Sequence, residues 1–200
     1  MWASDVELEP QPLSMWCGVS TTYMFIKHYF PNLSLSLNDI LGFAKIGFEY
    51  DPHKNYISEE NNVTGNAGDI QDAIIRFTNC TSQDVQEYSV YSKETVIQFL
   101  NDGHVLIIDV DYYEGNSTNS TSGHCFLVYG YVKVGNDYEF LIRDPGHVNQ
   151  GMTRMFTYEE LYCRSFTNVN NGNQGMNVWN KTIVKVTDYS SNTVPDYFGN

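Results

Sequence analysis

The stretch Gln11-Pro-Leu-Ser-Met-Trp-Cys17-Gly18 runs directly into a pattern of apolar residues at helical spacing that continues to Tyr29. This pattern predicts a helix over Trp16–Phe30, ended by Pro31. Cys17 therefore stands at a helix start, where backbone N–H groups without intrahelical partners favour a thiolate. The same position also suits a small apolar residue packed at a helix end, so the partners of the cysteine decide its role.

Three further helices are predicted in the first half of the chain. Ser36 can cap the first of them, which ends near Gly47, and Ser92 can cap the last. Between these two, Asp69–Phe77 carries apolar residues at helical spacing. The polar segment 48–68 is predicted to be an irregular excursion.

The second half of the chain has the pattern of a β-meander. Short runs of β-branched and aromatic residues alternate there with turn sequences. Helices followed by strands indicate an α+β domain. The predicted elements are strands over 105–110, 125–132, 138–143 and 178–186, a turn over 134–137, a short helix over 157–162 and a minor strand over 87–91.

Composition and charge exclude several classes of protein. Eleven basic and 24 acidic residues give a formal net charge of −13, which repels nucleic acids and anionic membranes. No apolar run approaches the roughly 18 residues needed to span a bilayer. A chain of 200 residues with 42% hydrophobic content can bury one good core. We expect a monomer with no nucleic-acid partner and no membrane insertion.

Asn-X-Ser/Thr sequons suggest a secreted protein, because the chain has about twice the number expected by chance. The six sequons begin at Asn32, Asn62, Asn79, Asn116, Asn119 and Asn180. The first residues do not resemble a signal peptide, so a secreted form would have lost its leader before Met1.

The four cysteines are too few and too scattered for a disulfide scaffold or a CxxC zinc site. If Cys17 is free, at most one disulfide remains. Cys125 is predicted to be buried in the sheet, and its pairing with Cys80 or Cys163 is an open alternative.

Of the five histidines, His124 is the best candidate for a base acting on Cys17. It follows the polar loop 114–123 and opens an apolar strand, so its ring can project from the sheet edge. The next strand ends in Asp144-Pro145, and a tight hairpin would bring Asp144 to the same end of the sheet. An aspartate at that point can hold the imidazole. His28 lies about three turns from Cys17 on the same helix and cannot reach it.

These motifs together resemble the papain-like cysteine peptidases. The resemblance is closest to the bacterial branch that contains double-glycine-leader bacteriocin processors and their stand-alone relatives. Its pattern is Gln-x5-Cys-Gly, Gly-His before a hydrophobic strand, Asp-Pro and a downstream Gly. This chain matches it with Gln11, Cys17-Gly18, Gly123-His124, Asp144-Pro145 and Gly151.

The resemblance implies a papain-like two-lobe fold, with the nucleophile helix packed on a C-terminal antiparallel sheet. It implies that Cys17 is the nucleophile, that His124 is the general acid/base and that Asp144 orients His124. Gln11 and the Cys17 backbone N–H would form the oxyanion hole. The implied substrate is a polypeptide or peptide, and no metal or cofactor is required.

We expect a single domain over 1–200. Its helical lobe would span about 11–102 and its sheet lobe about 103–188, with a mobile tail over 189–200 and a mobile loop over 168–177.

Three functions are compatible with the motifs. The first is peptide-bond hydrolysis by a Cys17 thiolate. The second uses the same triad for acyl transfer to an amine or thiol, or for hydrolysis of a non-peptide amide. The third is a catalytically silent binding or effector module on the same scaffold.

Overall fold

The computed structural model describes residues 2–49, 51–58, 67–114, 120, 122–146, 149–167 and 174–186. Within these ranges the predicted α+β class is confirmed. The helices are α1 (Cys17–Tyr29), α2 (Leu37–Ile46), α3 (Ala67–Thr78), α4 (Lys93–Asn101) and α5 (Tyr158–Tyr162), with a 3-10 helix at Gly47–Glu49. The strands are β1 (Trp2–Ala3), β2 (Val85–Tyr88), β3 (Leu106–Glu114), β4 (Ser122–Val134), β5 (Asp137–Asp144), β6 (Met152–Thr157), β7 (Cys163–Thr167) and β8 (Gln174–Lys185).

The predicted helix starts are found where the capping residues lie. The Ser36 side chain accepts a hydrogen bond from the Asp39 N–H, and the Asp39 carboxylate accepts one from the Ser36 N–H, which makes a complete capping box. Ser92 caps α4 by accepting from the Thr95 N–H. Gly47 ends α2 with φ 65, a conformation that favours glycine.

The strands form one antiparallel sheet in the order β2-β8-β3-β4-β5-β6. β1 pairs with the second half of β4, and β7 pairs with the first half of β8. β4 and β5 form a tight hairpin in which Val134 faces Asp137, as the turn sequence predicted. This hairpin brings the start of β4 and the end of β5 to the same end of the sheet.

Successive apolar side chains along the strands point to opposite faces of the sheet, so the core is divided into two clusters, one on each face. Val105, Ile107, Cys125 and Leu127 belong to the cluster that packs against α1, α2 and α3. Their neighbours belong to a second cluster with α4 and α5, and they include Leu106, Ile108, Phe126, Val128 and Ile142. Because successive strand side chains point to opposite faces, these apolar runs are buried on both sides.

Several predictions of local structure are corrected. Residues 174–177 were predicted as part of a mobile loop, and this prediction is wrong because they begin β8 and pair with β3 and β7. The minor strand predicted over 87–91 is found at Val85–Tyr88. The sequence pattern missed β6 and β7, whose Thr, Met and Arg residues lack a strong strand signal. Segment 168–173 and the predicted tail lie outside the described residues.

No helix among the described residues has the length and apolar character required to cross a membrane.

Candidate active site

Cys17 is the first residue of α1, one residue after the predicted start at Trp16. Trp16 is the N-cap residue and makes no side-chain capping hydrogen bond, and the first turn carries no acidic residue. The positive end of the helix dipole is therefore not offset by a local carboxylate. Cys17 as a whole residue is only partly buried.

His124 and Asp144 form a close pair at the end of the sheet. His124 Nε2 lies 2.6 Å from Asp144 Oδ1. His124 lies two residues before Phe126 on β4, so both side chains are on the same face of the sheet. Asp144 is the last residue of β5. The Asp144 side chain is 8% exposed, whereas that of His124 is 32% exposed. The carboxylate is therefore the buried member of the pair and the imidazole is the accessible one.

The Cys17 side chain lies beside His124, near enough for each group to shift the pKa of the other. Because Nε2 faces Asp144, Nδ1 is the ring nitrogen available to Cys17. Burial lowers the pKa of His124, but the hydrogen bonds to Asp144 and Cys17 outweigh it and raise the pKa to about 10. The structure therefore favours a protonated imidazole at neutral pH.

The Cys17 thiolate is stabilised from two sides. The hydrogen bond between the Cys17 and Cys125 side chains lowers the pKa of Cys17 most, burial opposes it, and the hydrogen bond and charge of His124 lower it further. The Cys125 backbone N–H contributes in the same direction. The pKa of Cys17 lies well below its ordinary value, which favours a thiolate–imidazolium pair.

Asp144 is held as an anion despite its burial. Burial raises the pKa of this carboxyl group, but the hydrogen bond and charge of His124 lower it. The Gly146 N–H, which donates to Oδ1 over 2.9 Å, and the charge of Arg154 lower it further, to about 2. Arg154 Nε lies 2.9 Å from the other carboxylate oxygen, Oδ2.

Cys125 connects Cys17 to a second carboxylate, that of Asp109. Its Sγ donates to Asp109 Oδ1 over 3.3 Å. Its backbone carbonyl accepts from Oγ1 of Thr21, which lies one turn after Cys17 on α1, over 3.2 Å. The hydrogen bond to Cys17, burial and nearby Asp109 raise the pKa of Cys125 well above its ordinary value. Burial raises the pKa of Asp109 to about 6.

All four cysteines are free thiols in this structure. The alternative in which Cys125 pairs with Cys80 or Cys163 is therefore not found. The thiol that approaches Cys125 is that of Cys17.

Gln11 joins the segment before α1 to the turn after Asp144. Its backbone N–H donates to the Pro145 carbonyl over 3.0 Å, and its own carbonyl accepts from the Asn149 N–H over 2.9 Å. Its side chain is buried, and its amide nitrogen donates to the Ser14 carbonyl over 2.9 Å. This nitrogen carries a second N–H that no described hydrogen bond uses.

The two glycines after Asp144 have different neighbours. A β-carbon on Gly146 would lie 2.8 Å from Asp144 Oδ1 and 3.3 Å from His124 Cε1. Gly151, with φ 56, lies against the Leu8 side chain instead. Gly146 therefore makes room for the pair, whereas Gly151 serves the packing of the N-terminal segment.

The remaining histidines are not part of this arrangement among the described residues. His28 contacts the Gly103 carbonyl over 3.4 Å. His104 packs against Phe99, and His53 is exposed. His147 lies outside the described residues.

Three residues of the site were not identified from the sequence. Arg154 lies on β6, a strand that the pattern did not predict. Asp109 and Cys125 face each other across β3 and β4. For Arg154 the only signal in the sequence was indirect. A buried aspartate requires a cation, but the sequence does not indicate which one.

The cavities lie beside this arrangement. One of about 810 Å³ runs between the N-terminal segment and α1, and its lining includes none of the four residues predicted for the site. A smaller pocket is lined by His124 and Asp144 together with Phe126, Phe156 and Arg164. Among the described residues, no group of three or more His, Cys, Asp or Glu could hold a metal ion.

The sequence profile of the Peptidase_C39 like family matches residues 3–182, which is most of the chain. The chain belongs to the peptidase C39-like family. The papain-like superfamily that its motifs resemble is thereby confirmed, and membership of this family supports cysteine peptidase activity in general.

Solved structures resemble this C39-like chain in fold. A Bacillus anthracis protein assigned as a C39-like peptidase superposes with a TM-score of 0.50 at 14% identity, covering 89% of this chain and 96% of that one. A chain from a structural study of the mite allergens Blo t 1 and Der p 1 gives a TM-score of 0.47 at 13% identity, covering 88% and 67%. No curated protein matches the sequence.

Proposed function

We propose that this C39-like protein is a cysteine peptidase that hydrolyses peptide bonds through Cys17, His124 and Asp144. Its main support is the continuous line of contacts from the Cys17 thiol to His124, and from His124 Nε2 to Asp144 Oδ1 over 2.6 Å. A nucleophile bonded to a base that is oriented by a third group is the arrangement that acyl transfer requires.

In the first half of the reaction, the Cys17 thiolate attacks the carbonyl carbon of the scissile bond. The oxyanion that develops accepts hydrogen bonds from the Cys17 backbone N–H and the uncommitted N–H of Gln11. The His124 imidazolium then gives its proton to the leaving amine, and an acyl thioester remains on Cys17.

In the second half, neutral His124 takes a proton from water as that water attacks the thioester. The Cys17 thiolate leaves, the carboxylic product is released, and the thiolate–imidazolium pair is restored. Asp144 remains ionised throughout, because its pKa of about 2 lies far below the working pH.

The first test is the rate of Cys17 alkylation by iodoacetamide as a function of pH, followed by peptide mass spectrometry. The wild type should react well below pH 7, whereas His124→Ala should react in one step nearer the free-thiol pKa of about 8.5. Identical profiles in the two proteins would contradict the pairing of Cys17 with His124.

A second test looks for hydrolysis itself. Denatured proteins are incubated with the wild type and with Cys17→Ala, and new peptide termini are identified by mass spectrometry. The proposal predicts new termini with the wild type alone. Products joined to an added amine would instead identify an acyl transferase, and an absence of products despite a reactive Cys17 would favour a binding module.

Secretion and a monomeric state stay predictions. The sequon asparagines Asn32, Asn79 and Asn180 are exposed, as glycan acceptors must be.

A further inference from the structure

Asp144 is shared between two cationic partners. Its Oδ1 contacts His124 Nε2 over 2.6 Å, whereas its Oδ2 contacts Arg154 Nε over 2.9 Å. With 8% of its side chain exposed, Asp144 is poorly screened by water. Each partner therefore changes how strongly the carboxylate attracts the other.

Arg154 comes from the strand next to Asp144. It faces Ile142 in the β5–β6 register, two residues before Asp144, and its side chain is 27% exposed. Its Nε–H does not form an aligned hydrogen bond in spite of the short distance. The contact is therefore an ion pair in which the charge of Arg154 matters more than the direction of its N–H.

We propose that Arg154 is a positioning residue of this site, which acts through Asp144 to limit how tightly the carboxylate holds the proton on His124. This inference rests on the proposed function, because it concerns the acid that serves the leaving amine. Nothing in the sequence motifs assigns such a role to Arg154.

A charge count shows the direction of the effect. With neutral His124, Asp144 and Arg154 cancel each other, so loss of the imidazole proton leaves no unpaired charge among the three. Without Arg154, the same proton loss would leave a buried anion alone, which is costly. Arg154 thus favours the state in which His124 has given up its proton.

The other ionisable groups near His124 and Asp144 are the same with and without Arg154. Cys17 on α1, Asp109 on β3 and Cys125 on β4 surround the thiol side. On the other side, Glu160 on α5 accepts a hydrogen bond from the Thr157 N–H, and Arg164 on β7 stacks over the Phe156 ring at 4.7 Å. Arg164 is thus a nearby arginine with no described ion pair to Asp144.

The test is an NMR titration of the His124 ring in the full chain labelled with ¹³C-histidine, with His124→Ala for assignment. Arg154→Gln should move the midpoint upward by about 0.5–1 pH unit, because it removes a cation near the ring. Arg154→Met removes the same charge with a different side chain and should agree with it. Arg154→Lys keeps the charge and should restore the midpoint to within about 0.3 unit of the wild type.

Arg164→Gln is the matched control, since it removes one arginine charge from the same pocket without touching Asp144. It should move the midpoint by less than half as much as Arg154→Gln. An unchanged midpoint, a downward shift, or equal shifts in the two Gln variants would overturn the role of Arg154. Unfolding curves of each variant confirm that a folded protein is titrated.

Failure of the proposed function has a different signature. Cys17→Ala should lower the His124 midpoint if the thiolate pairs with the imidazolium. If Cys17→Ala leaves the midpoint unchanged, the pairing itself is wrong. If Cys17→Ala lowers it and Arg154→Gln has no effect, only the inference on Arg154 fails.

Discussion

A β-carbon on Gly146 would lie 2.8 Å from Oδ1 of Asp144, the oxygen that contacts His124. The Gly146 N–H donates to the same oxygen over 2.9 Å. This glycine therefore does two things for the pair, since it supplies a donor and leaves the space that the carboxylate occupies.

Gly146→Ala is expected to displace Asp144 and lower peptide hydrolysis on the order of 10²-fold, as small misplacements of reacting groups do. The Cys17 alkylation profile should shift toward that of His124→Ala. Gly151→Ala is the control, because its new β-carbon would meet Leu8 and its φ of 56 strains alanine. It should lower the melting temperature and leave the alkylation profile unchanged. Equal profiles in both variants would contradict this assignment.

Gln11→Ala is expected to separate two kinds of reactivity. Loss of one oxyanion donor costs about 10²–10³ in kcat. Alkylation by iodoacetamide forms no oxyanion, so its rate and pH dependence should stay those of the wild type. The measurements are peptide hydrolysis and alkylation on the same preparation. A loss of alkylation equal to the loss of hydrolysis would show that Gln11 supports the fold of the site and not the oxyanion.

Cys125→Ala is expected to raise the pKa of Cys17. The hydrogen bond between the two thiols is the largest cause of the low pKa of Cys17. The acid limb of the alkylation profile should therefore move to higher pH. Cys163→Ala is the matched control, because its sulfur contacts Met176 and not Cys17. The prediction fails if the acid limb of the alkylation profile is the same in both variants as in the wild type.

Asp109→Asn is expected to stabilise the protein at pH 7. Burial raises the pKa of Asp109 to about 6, so the folded protein binds a proton that the unfolded chain loses near pH 4. The free energy of unfolding therefore falls as pH rises from about 4 through 6, by on the order of 1–3 kcal/mol. The neutral asparagine should remove this fall.

Denaturant unfolding at pH 4, 6 and 8 measures the effect of Asp109→Asn. Asp111→Asn, two residues further along β3, removes a charge that also raises the pKa of Asp109, so it should reduce the pH dependence only in part, because burial is the larger cause. If the curves of the wild type and Asp109→Asn run parallel across these pH values, the burial of a charged Asp109 does not cost stability.

Much of the local structure followed from short-range chemistry. Ser36 and Ser92 marked helix starts because their side chains accept from backbone N–H groups three residues on. The turn over 134–137 fixed the β4–β5 hairpin and hence the meeting of His124 with Asp144. The pattern failed at β6 and β7, where pairing with neighbouring strands overrides weak intrinsic preference.

The sequence by itself determined the helix that starts at Cys17, the strand that carries His124 and the aspartate that ends the next strand. Each of these depends on residues close together in the chain. Only the tertiary structure decided that Arg154 contacts Asp144, that Cys125 approaches Cys17 and that Asp109 is partly buried beside them. These contacts depend on strand register and on the packing of α1 across the sheet, which no local pattern specifies.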